Sequence, residues 1–320
     1  MSTIVPLQNS SFHLEIVDRD LLRELLRDTR SPATRRAYAV SLTKFFRFIS
    51  SQDPSPQLVS EFLNLEKSTA LKLVLTFKAS LIERGLAEAT VNNRLAGIKA
   101  LVIFAEDQGK CIWNLKAIKS EKVVTYRDTS GVTANEYNKV IAICDRTTLK
   151  GKRDYSLLRL LWDNALRCDE ICKTRVKDFD PYSQQLAILG KGRGTQKQSV
   201  DLSDATTEAI ANWLAARSDL TPESPLYIAL DRAHFGQHLM ADGLNYIINT
   251  LAKRAGTKKT LSPHKCRHSS ITAYLKASNG DLQGAQDLAR HSDPKTTMIY
   301  NDNRLKTQGK ATKRLANLIH

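Results

Sequence analysis

Apolar residues recur at helical spacing through most of the first 114 residues, and this periodicity constrains the fold more than any other feature. The pattern occurs in five segments: 21–26, 34–49, 58–65, 68–84 and 90–105. Pro32 and Pro56 each follow a serine, and proline is tolerated in the first turn of a helix. No convincing alternating strand interrupts these segments, so we predict an all-helical domain over residues 15–114.

The chain then changes character twice. Residues 115–132 lose the apolar periodicity and are rich in charge, which is typical of an exposed linker. Thr133 and Glu136 form a capping-box pattern, which predicts the start of a second domain over 133–320. Helical patterns lie near 134–145, 153–164, 204–216, 240–254, 265–276, 281–289 and 294–300, and strand patterns at 185–189 and 198–202. The predicted fold is mainly α with a small antiparallel β-sheet, in two domains.

Charge narrows the partners of such a fold. The chain has 48 Lys and Arg against 33 Asp and Glu, a net charge of +15, so a polyanion such as DNA or RNA is the first partner to consider. On charge alone, an ordinary basic cytosolic protein remains an alternative. No apolar run approaches the length of a membrane span, and we predict a cytoplasmic protein without a membrane partner.

The five cysteines are odd in number and scattered, which favours reduced thiols over a disulfide framework. Cys168 and Cys172 are four residues apart, but no second Cys/His pair of zinc spacing accompanies them. We therefore predict no metal site, and no motif indicates another cofactor.

Two segments of the second domain carry cations suited to phosphate chemistry. Glu170 follows Arg167 by three residues, so a helix would bring both onto one face and a carboxylate would hold an arginine that can clamp a phosphate. A surface ion pair is the alternative. Lys191 lies in a glycine-rich turn between the strand patterns, where it could donate a proton to a leaving oxygen. A solvated turn lysine is the alternative there.

Two further segments carry histidine, arginine and tyrosine. His264 and Arg267 follow a Ser-Pro pair at a helix start, one turn apart, so both can face one anion. This pattern is weak on its own, because such pairs arise often by chance. His291 precedes a Ser-Asp-Pro cap that begins a short helix carrying Tyr300. Taken singly, Tyr300 is better explained as a core or surface aromatic than as a nucleophile.

The order of these residues changes the interpretation. Arg167, Lys191, His264, Arg267, His291 and Tyr300, in the segments 165–171, 189–192, 262–268 and 291–300, resemble the catalytic boxes of the tyrosine recombinase (phage integrase) family. The resemblance covers the second domain and extends to 31–38 and 90–95 in the first. It implies a helical core-binding domain and a tyrosine recombinase catalytic domain that form a C-shaped clamp on duplex DNA.

The same resemblance implies how protons move. Tyr300 would attack the scissile phosphate and form a 3′-phosphotyrosyl link, without a nucleotide cofactor. His264 would take and return the tyrosine proton, and Lys191 would protonate the leaving 5′-oxygen.

It also implies how the phosphate is held. Arg167 and Arg267 would bind the non-bridging oxygens, and His291 would donate a hydrogen bond to the phosphate. Glu170 would orient the arginines from behind.

Further contacts follow from the resemblance. The expected DNA-binding residues of the first domain are Arg35, Arg36, Lys44, Arg94 and Lys99, with a solvated basic face as the alternative. The basic tail, residues 301–320, would pack as a helix on a neighbouring protomer in a homo-tetramer on two recombination sites, with or without accessory factors or a partner recombinase. Its apolar residues are Leu305, Leu315, Leu318 and Ile319.

Two residues depart from the family pattern. Ala165 and Arg290 stand where the family has glycine, and Arg290 adds a bulky charge beside the active site. The alternatives to a recombinase are a type IB topoisomerase-like enzyme and a non-catalytic DNA-binding relative. About 20 to 30 residues precede the first domain, so we expect no separate arm-binding domain.

Overall fold

The computed structural model describes residues 20–123, 131–190, 195–218, 220–305 and 307–318. The chain divides into two compact units, Met1–Thr125 and Tyr126–His320. Within the described residues the protein is mainly helical, with one three-stranded antiparallel sheet, and this confirms the predicted fold class.

The first unit is built from five helices in the part of the chain that the structure describes: α1 (Leu21–Asp28), α2 (Pro32–Ser50), α3 (Pro56–Leu63), α4 (Lys67–Glu83) and α5 (Glu88–Asp107). The hydroxyls of Ser31 and Ser55 cap α2 and α3 by accepting from main-chain amides, and a proline follows each in the first turn. Local sequence therefore determines where these helices begin.

Aromatic rings fill the core of the first unit. Phe45 makes edge contacts with Phe62 and Phe77 at centroid distances of 5.1 and 5.4 Å. Leu115 and Ile118 are buried in the same core, although they lie within the segment predicted as linker. The main chain there is also held, because the Lys99 ammonium donates to the Ile118 carbonyl at 2.7 Å.

The helices of the second unit are α6 (Ala134–Ala142), α7 (Leu149–Asp163), α8 (Cys168–Cys172), α9 (Asp204–Ala215), α10 (Ala241–Arg254), α11 (Pro263–Ala277), α12 (Leu282–Ala289), α13 (Pro294–Leu305) and α14 (Thr307–Ala316). The capping box at Thr133 and Glu136 is present as predicted. Helix α7 begins four residues earlier than its periodicity predicts, because the Thr148 hydroxyl caps it by accepting from the Gly151 amide at 3.0 Å.

The sheet is small and lies beside the helices of the second unit. Its strands are β1 (Phe179–Asp180), β2 (Gln185–Ile188) and β3 (Gln198–Asp201), in that order and antiparallel. Leu186 pairs with Val200, and Leu186 and Ile188 turn a buried face to the core. Both predicted strands are present, whereas the two residues of β1 are too few to show an alternating pattern.

Two apolar clusters organise the second unit. In the larger one Trp213 of α9 is fully buried and donates its indole N–H to the Leu226 carbonyl at 2.8 Å. The smaller one consists of Ala165, Ile271, Leu275, Ala285, Ala289 and Tyr300. It joins α11, α12 and α13 to the loop after α7, and the candidate site is built on it.

The close approach of α2 and α5 gives a test of the first unit. A Cβ on Gly97 would lie 2.8 Å from the Cβ of Ser41 and 3.3 Å from the Tyr38 main chain. We therefore expect Gly97→Ala to lower the free energy of unfolding by about 1–3 kcal/mol, measured by denaturant titration. Gly309 of α14 has open space around it, so Gly309→Ala, with the same gain in helix propensity, is the control and should not destabilise the protein. Equal effects of the two substitutions would contradict the packing argument.

Candidate active site

The loop between α7 and α8 presents the first arginine. Ala165 is fully buried with a φ of 46°, in the left-handed region that favours glycine. Arg167 follows at the N-cap of α8, where its Nη1 donates to Glu170 Oε1 at 2.7 Å. The main-chain amide of Arg167 donates to the other carboxylate oxygen at 2.8 Å. Arg167 and Glu170 are therefore paired within one turn, in agreement with their spacing in the sequence.

Arg267 lies on α11, which begins at Pro263 after the Ser262 cap. Its side chain is 2% exposed, and its guanidinium donates to the main-chain carbonyls of Ala165 and Ala289. Burial, and then the neighbouring charges of Arg167 and Arg290, lower its pKa to about 9. This arginine is held in position by the backbone while its charge remains poorly compensated.

A third arginine completes the cluster. Arg290 ends α12 with a φ of 52°, and its side chain is 10% exposed. Its Nη2 donates to Glu170 Oε2 at 3.0 Å, so one carboxylate binds two arginines. The sequence identified Arg290 as a departure from a glycine pattern that adds a charge beside the active site, but not as one of the site residues.

The carboxylate of Glu170 is 1% exposed, and its charge is maintained by the arginines. Burial alone raises the pKa of Glu170, but the charge of Arg290 and the hydrogen bonds from Arg167 outweigh burial and lower this pKa below its ordinary 4.5. Arg167, Arg267 and Arg290 with Glu170 leave a formal charge of 3 − 1 = +2. Such a cluster is suited to a phosphate anion.

Three histidines lie around the tyrosine. The ring centroid of Tyr300 on α13 is 5.1 Å from that of His268 and 5.9 Å from that of His291. His264 stacks edge-on against His268 at 4.2 Å. Tyr300 also lies close enough to Arg267 for its ionised form to raise the pKa of that arginine.

His291 is held at its position by a neighbouring hydroxyl. Its Nδ1 lies 2.9 Å from Oγ1 of Thr297, a residue of α13 that is 1% exposed. Sequence reasoning missed His268, although it stands one helical turn after His264 and its position on the same face was readable.

The structure thus brings Arg167, Glu170, His264, Arg267, His291 and Tyr300 together around one cluster. Lys191 lies outside the described residues, so its position remains a prediction. Within those residues, no group of three His, Cys, Asp or Glu side chains could hold a metal ion, and no helix is long and apolar enough to cross a membrane.

The predicted DNA contacts of the first unit differ in their surroundings. Arg35, Arg36 and Lys44 are exposed on α2, and Arg35 also donates to the Thr29 carbonyl at 3.1 Å. Arg94 and Lys99 of α5 are half-buried. The α2 residues are therefore the more accessible to a ligand.

The comparisons with known proteins agree with this geometry. The family model described as the phage integrase family matches residues 131–306. Tyrosine recombinases of Synechococcus elongatus and Synechocystis sp. are each 43% identical to the chain, over 304 residues (95% of both chains) and 307 residues (96% of this chain and 98% of the relative). The XerH site-specific recombinase, in a post-cleavage complex with its palindromic difH substrate, has the same fold, with a TM-score of 0.63 and 18% identity over 91% of this chain and 83% of that chain.

The fold is therefore that of the Xer-type recombinases. The chain belongs to the phage integrase family and is a site-specific tyrosine recombinase.

Glu170→Gln tests the electrostatics of the cluster. Its pKa is depressed in the folded state, so the ionised carboxylate contributes stability that is fully present above 4.5 and is lost as pH falls through the folded pKa. We expect Glu170→Gln to cost about 3–5 kcal/mol at pH 7, because it leaves buried arginines uncompensated. The difference in the free energy of unfolding between wild type and variant should become smaller as the pH falls towards the folded pKa of Glu170. Denaturant unfolding at several pH values measures it.

The control is Glu223→Gln, which removes an exposed carboxylate paired with Arg175 and Lys177. It should change stability little at any pH. A stability loss of Glu170→Gln that stays constant with pH would contradict the assignment.

Proposed function

We propose that the protein cuts and rejoins duplex DNA at specific sites through a 3′-phosphotyrosyl intermediate on Tyr300. The observation that carries this proposal is the position of Tyr300 against the rings of His268 and His291, on a helix that packs against the α11 helix of Arg267. The arginine cluster, with a formal charge of +2, can hold the phosphate. Attack by the phenol oxygen forms one phosphoester bond and breaks the bond to the 5′-oxygen. The number of ester bonds is unchanged, so rejoining needs no nucleotide cofactor.

The arginines divide the work according to exposure. Arg167 has 31% of its side chain exposed, so it can donate to a non-bridging oxygen without leaving Glu170. Arg267 is buried, so it would act on the phosphate through its charge. Fixed cations that face the developing charge of a pentacoordinate phosphorus are the most effective form of this catalysis.

Proton transfer falls to the histidines and to Lys191. His264 would accept the phenol proton, and the ring of His268 contacts the rings of both His264 and Tyr300. His291, oriented by Thr297, would donate to the phosphate. Lys191 would protonate the leaving 5′-oxygen, and it lies in the glycine-rich sequence between β2 and β3.

Tyr300 must become more exposed before it can attack a DNA phosphate. Tyr300 is 3% exposed, packed against Ala165, Ala285 and Ala289. We propose that DNA binding shifts α13 far enough for the scissile phosphate to reach the phenol oxygen.

We further propose that both units contact duplex DNA. Arg35, Arg36, Lys44, Arg94 and Lys99 would contact phosphates in the first unit, and the net charge of +15 supports a polyanionic partner. A cytoplasmic location belongs to the same proposal, because all five cysteines are free thiols.

Recombination requires two sites, and we propose a homo-tetramer assembled through the tail. Leu315 and Leu318 are 64% and 78% exposed, so their apolar surface is available to a second copy. A cavity of about 400 Å³ on the second unit could receive them, and its apolar lining comes from Trp162, Ala273, Tyr274, Ala277 and Leu288. Accessory factors or a partner recombinase would act on this assembly.

Covalent trapping tests the nucleophile. Wild-type protein incubated with nicked suicide duplexes from the DNA flanking its gene, without metal, should give a protein–DNA adduct on a denaturing gel. Tyr300→Phe should give none, because it lacks the attacking oxygen. Tyr274→Phe is the matched control, since Tyr274 is a half-buried tyrosine whose hydroxyl donates to Asp281 Oδ2 at 2.6 Å, and it should cleave like wild type. An adduct from Tyr300→Phe would show that another residue attacks, and relaxation of supercoils without strand exchange would favour the topoisomerase-like alternative.

The tail proposal has its own test. We expect a Leu315→Asp, Leu318→Asp double variant to bind and cleave a single site but to form no tetramer, because charge cannot be buried in an apolar cavity. Light scattering of the DNA complexes measures the assembly. Leu220→Asp changes an exposed leucine elsewhere, 36% accessible, and should assemble normally. Tetramers of the double variant would rule out the tail as the connector.

A further inference from the structure

Arg290 occupies a position whose backbone favours glycine. Its φ is 52° and its ψ 49°, the left-handed region that residues with a Cβ rarely adopt. Ala165, whose carbonyl Arg290 contacts, also has a positive φ, 46°. Two such residues in contact indicate that side-chain interactions offset the backbone cost at this point of the site.

Those interactions come from the guanidinium. Beyond the local Leu288 carbonyl, it donates to the carbonyls of Asn164 at 3.1 Å and Ala165 at 3.3 Å, and to Glu170 Oε2 at 3.0 Å. These three acceptors lie 120 or more residues away in sequence. Arg290 therefore ties the end of α12 to the loop that carries Arg167.

The main chain of Arg290 also contacts Arg167. Its carbonyl accepts from Arg167 Nη2 at 3.3 Å, while Glu170 accepts from Arg167 Nη1 at 2.7 Å. Arg167 is thus held between a carbonyl and a carboxylate, and Arg290 determines the position of both. The next residue is His291, so the same anchor also places this histidine relative to Arg167.

Arg290 is too enclosed to serve as a phosphate ligand. Its hydrogen bonds engage both Nη atoms with protein acceptors, and its side chain is 10% exposed. Its charge nevertheless acts on the cluster, because it lowers the pKa of Arg267 and that of Glu170.

We propose that Arg290 is a positioning residue of the recombinase: through Asn164, Ala165 and Glu170 it holds Arg167, and the adjacent His291, where the scissile phosphate binds. This inference rests on the proposed function, because it concerns the same cleavage step. In this role Arg290 aligns Arg167, which binds the phosphate, and does not itself contact the phosphate.

The test compares Arg290→Gly and Arg290→Lys with wild type. Glycine removes every guanidinium bond while it relieves the backbone, and lysine keeps the charge but loses the planar fork. Asn279→Gly is the matched control, since Asn279 also has a positive φ, 55°, and lies away from the cluster in the α11–α12 loop. Single-turnover cleavage of the suicide duplex and DNA affinity are measured separately.

We expect Arg290→Gly to cleave about 10²-fold more slowly at saturating protein, with DNA affinity within about 3-fold of wild type. Arg290→Lys should lie between the two, and Asn279→Gly should match wild type. The discriminating readout is a duplex with a methylphosphonate at the scissile position, where one charged oxygen is replaced by a methyl group. If Arg290 acts through Arg167, the ratio of the wild-type cleavage rate to that of Arg290→Gly should be smaller on this substrate.

Cleavage by Arg290→Gly at the wild-type rate would overturn the proposal, as would an equal loss on both substrates. Should Arg290→Gly not fold, the Arg290→Lys rates on the two substrates decide in the same way. Absence of any adduct from wild type would instead contradict the proposed function.

The positioning role is then decided without DNA. The Arg167 Nε–H resonance, assigned by its loss in Arg167→Lys, should be sharp in wild type and exchange-broadened in Arg290→Gly. A resonance that stays sharp in the variant would overturn the role.

Discussion

The active site depends on one buried carboxylate. Glu170 is almost inaccessible to water, yet it stays ionised because two arginines donate to it, one to each carboxylate oxygen. Without it, Arg167, Arg267 and Arg290 would repel one another in a region of low dielectric constant. The carboxylate compensates part of this charge and leaves the rest for a ligand, so the cluster is stable enough to fold and still attracts an anion.

Main-chain carbonyls supply the remaining anchors. The Ala165 carbonyl accepts from both Arg267 and Arg290, and the Ala289 carbonyl accepts from Arg267. These carbonyls lie at a loop and a helix end, where the backbone leaves acceptors without intrahelical partners. Arginine, with five donors in a planar fork, can satisfy several of them at once. The geometry of the site therefore follows from where α7 and α12 end.

Sequence patterns predicted much of this arrangement, because they report interactions between near neighbours. The Arg167–Glu170 pair follows from a spacing of three residues, the start of α11 from a Ser-Pro pair, and the α6 start from a capping box. Helical periodicity located most helices for the same reason. The β1 strand was missed because two residues are too few to show a periodic pattern. The burial of Leu115 and Ile118 was missed because two apolar residues in a charged segment also show no periodic pattern.

The sequence by itself determined the helices, their caps, the two longer strands and the residue types that phosphate chemistry requires, since each depends on a few consecutive residues. Only the tertiary structure decided that Arg290 donates hydrogen bonds to the Arg167 loop, that His268 contacts both His264 and Tyr300, and that Arg267 is buried while Arg167 is partly exposed. These contacts join segments up to 126 residues apart. Their geometry depends on how α7, α11, α12 and α13 pack around a small apolar cluster, and no local pattern encodes that packing.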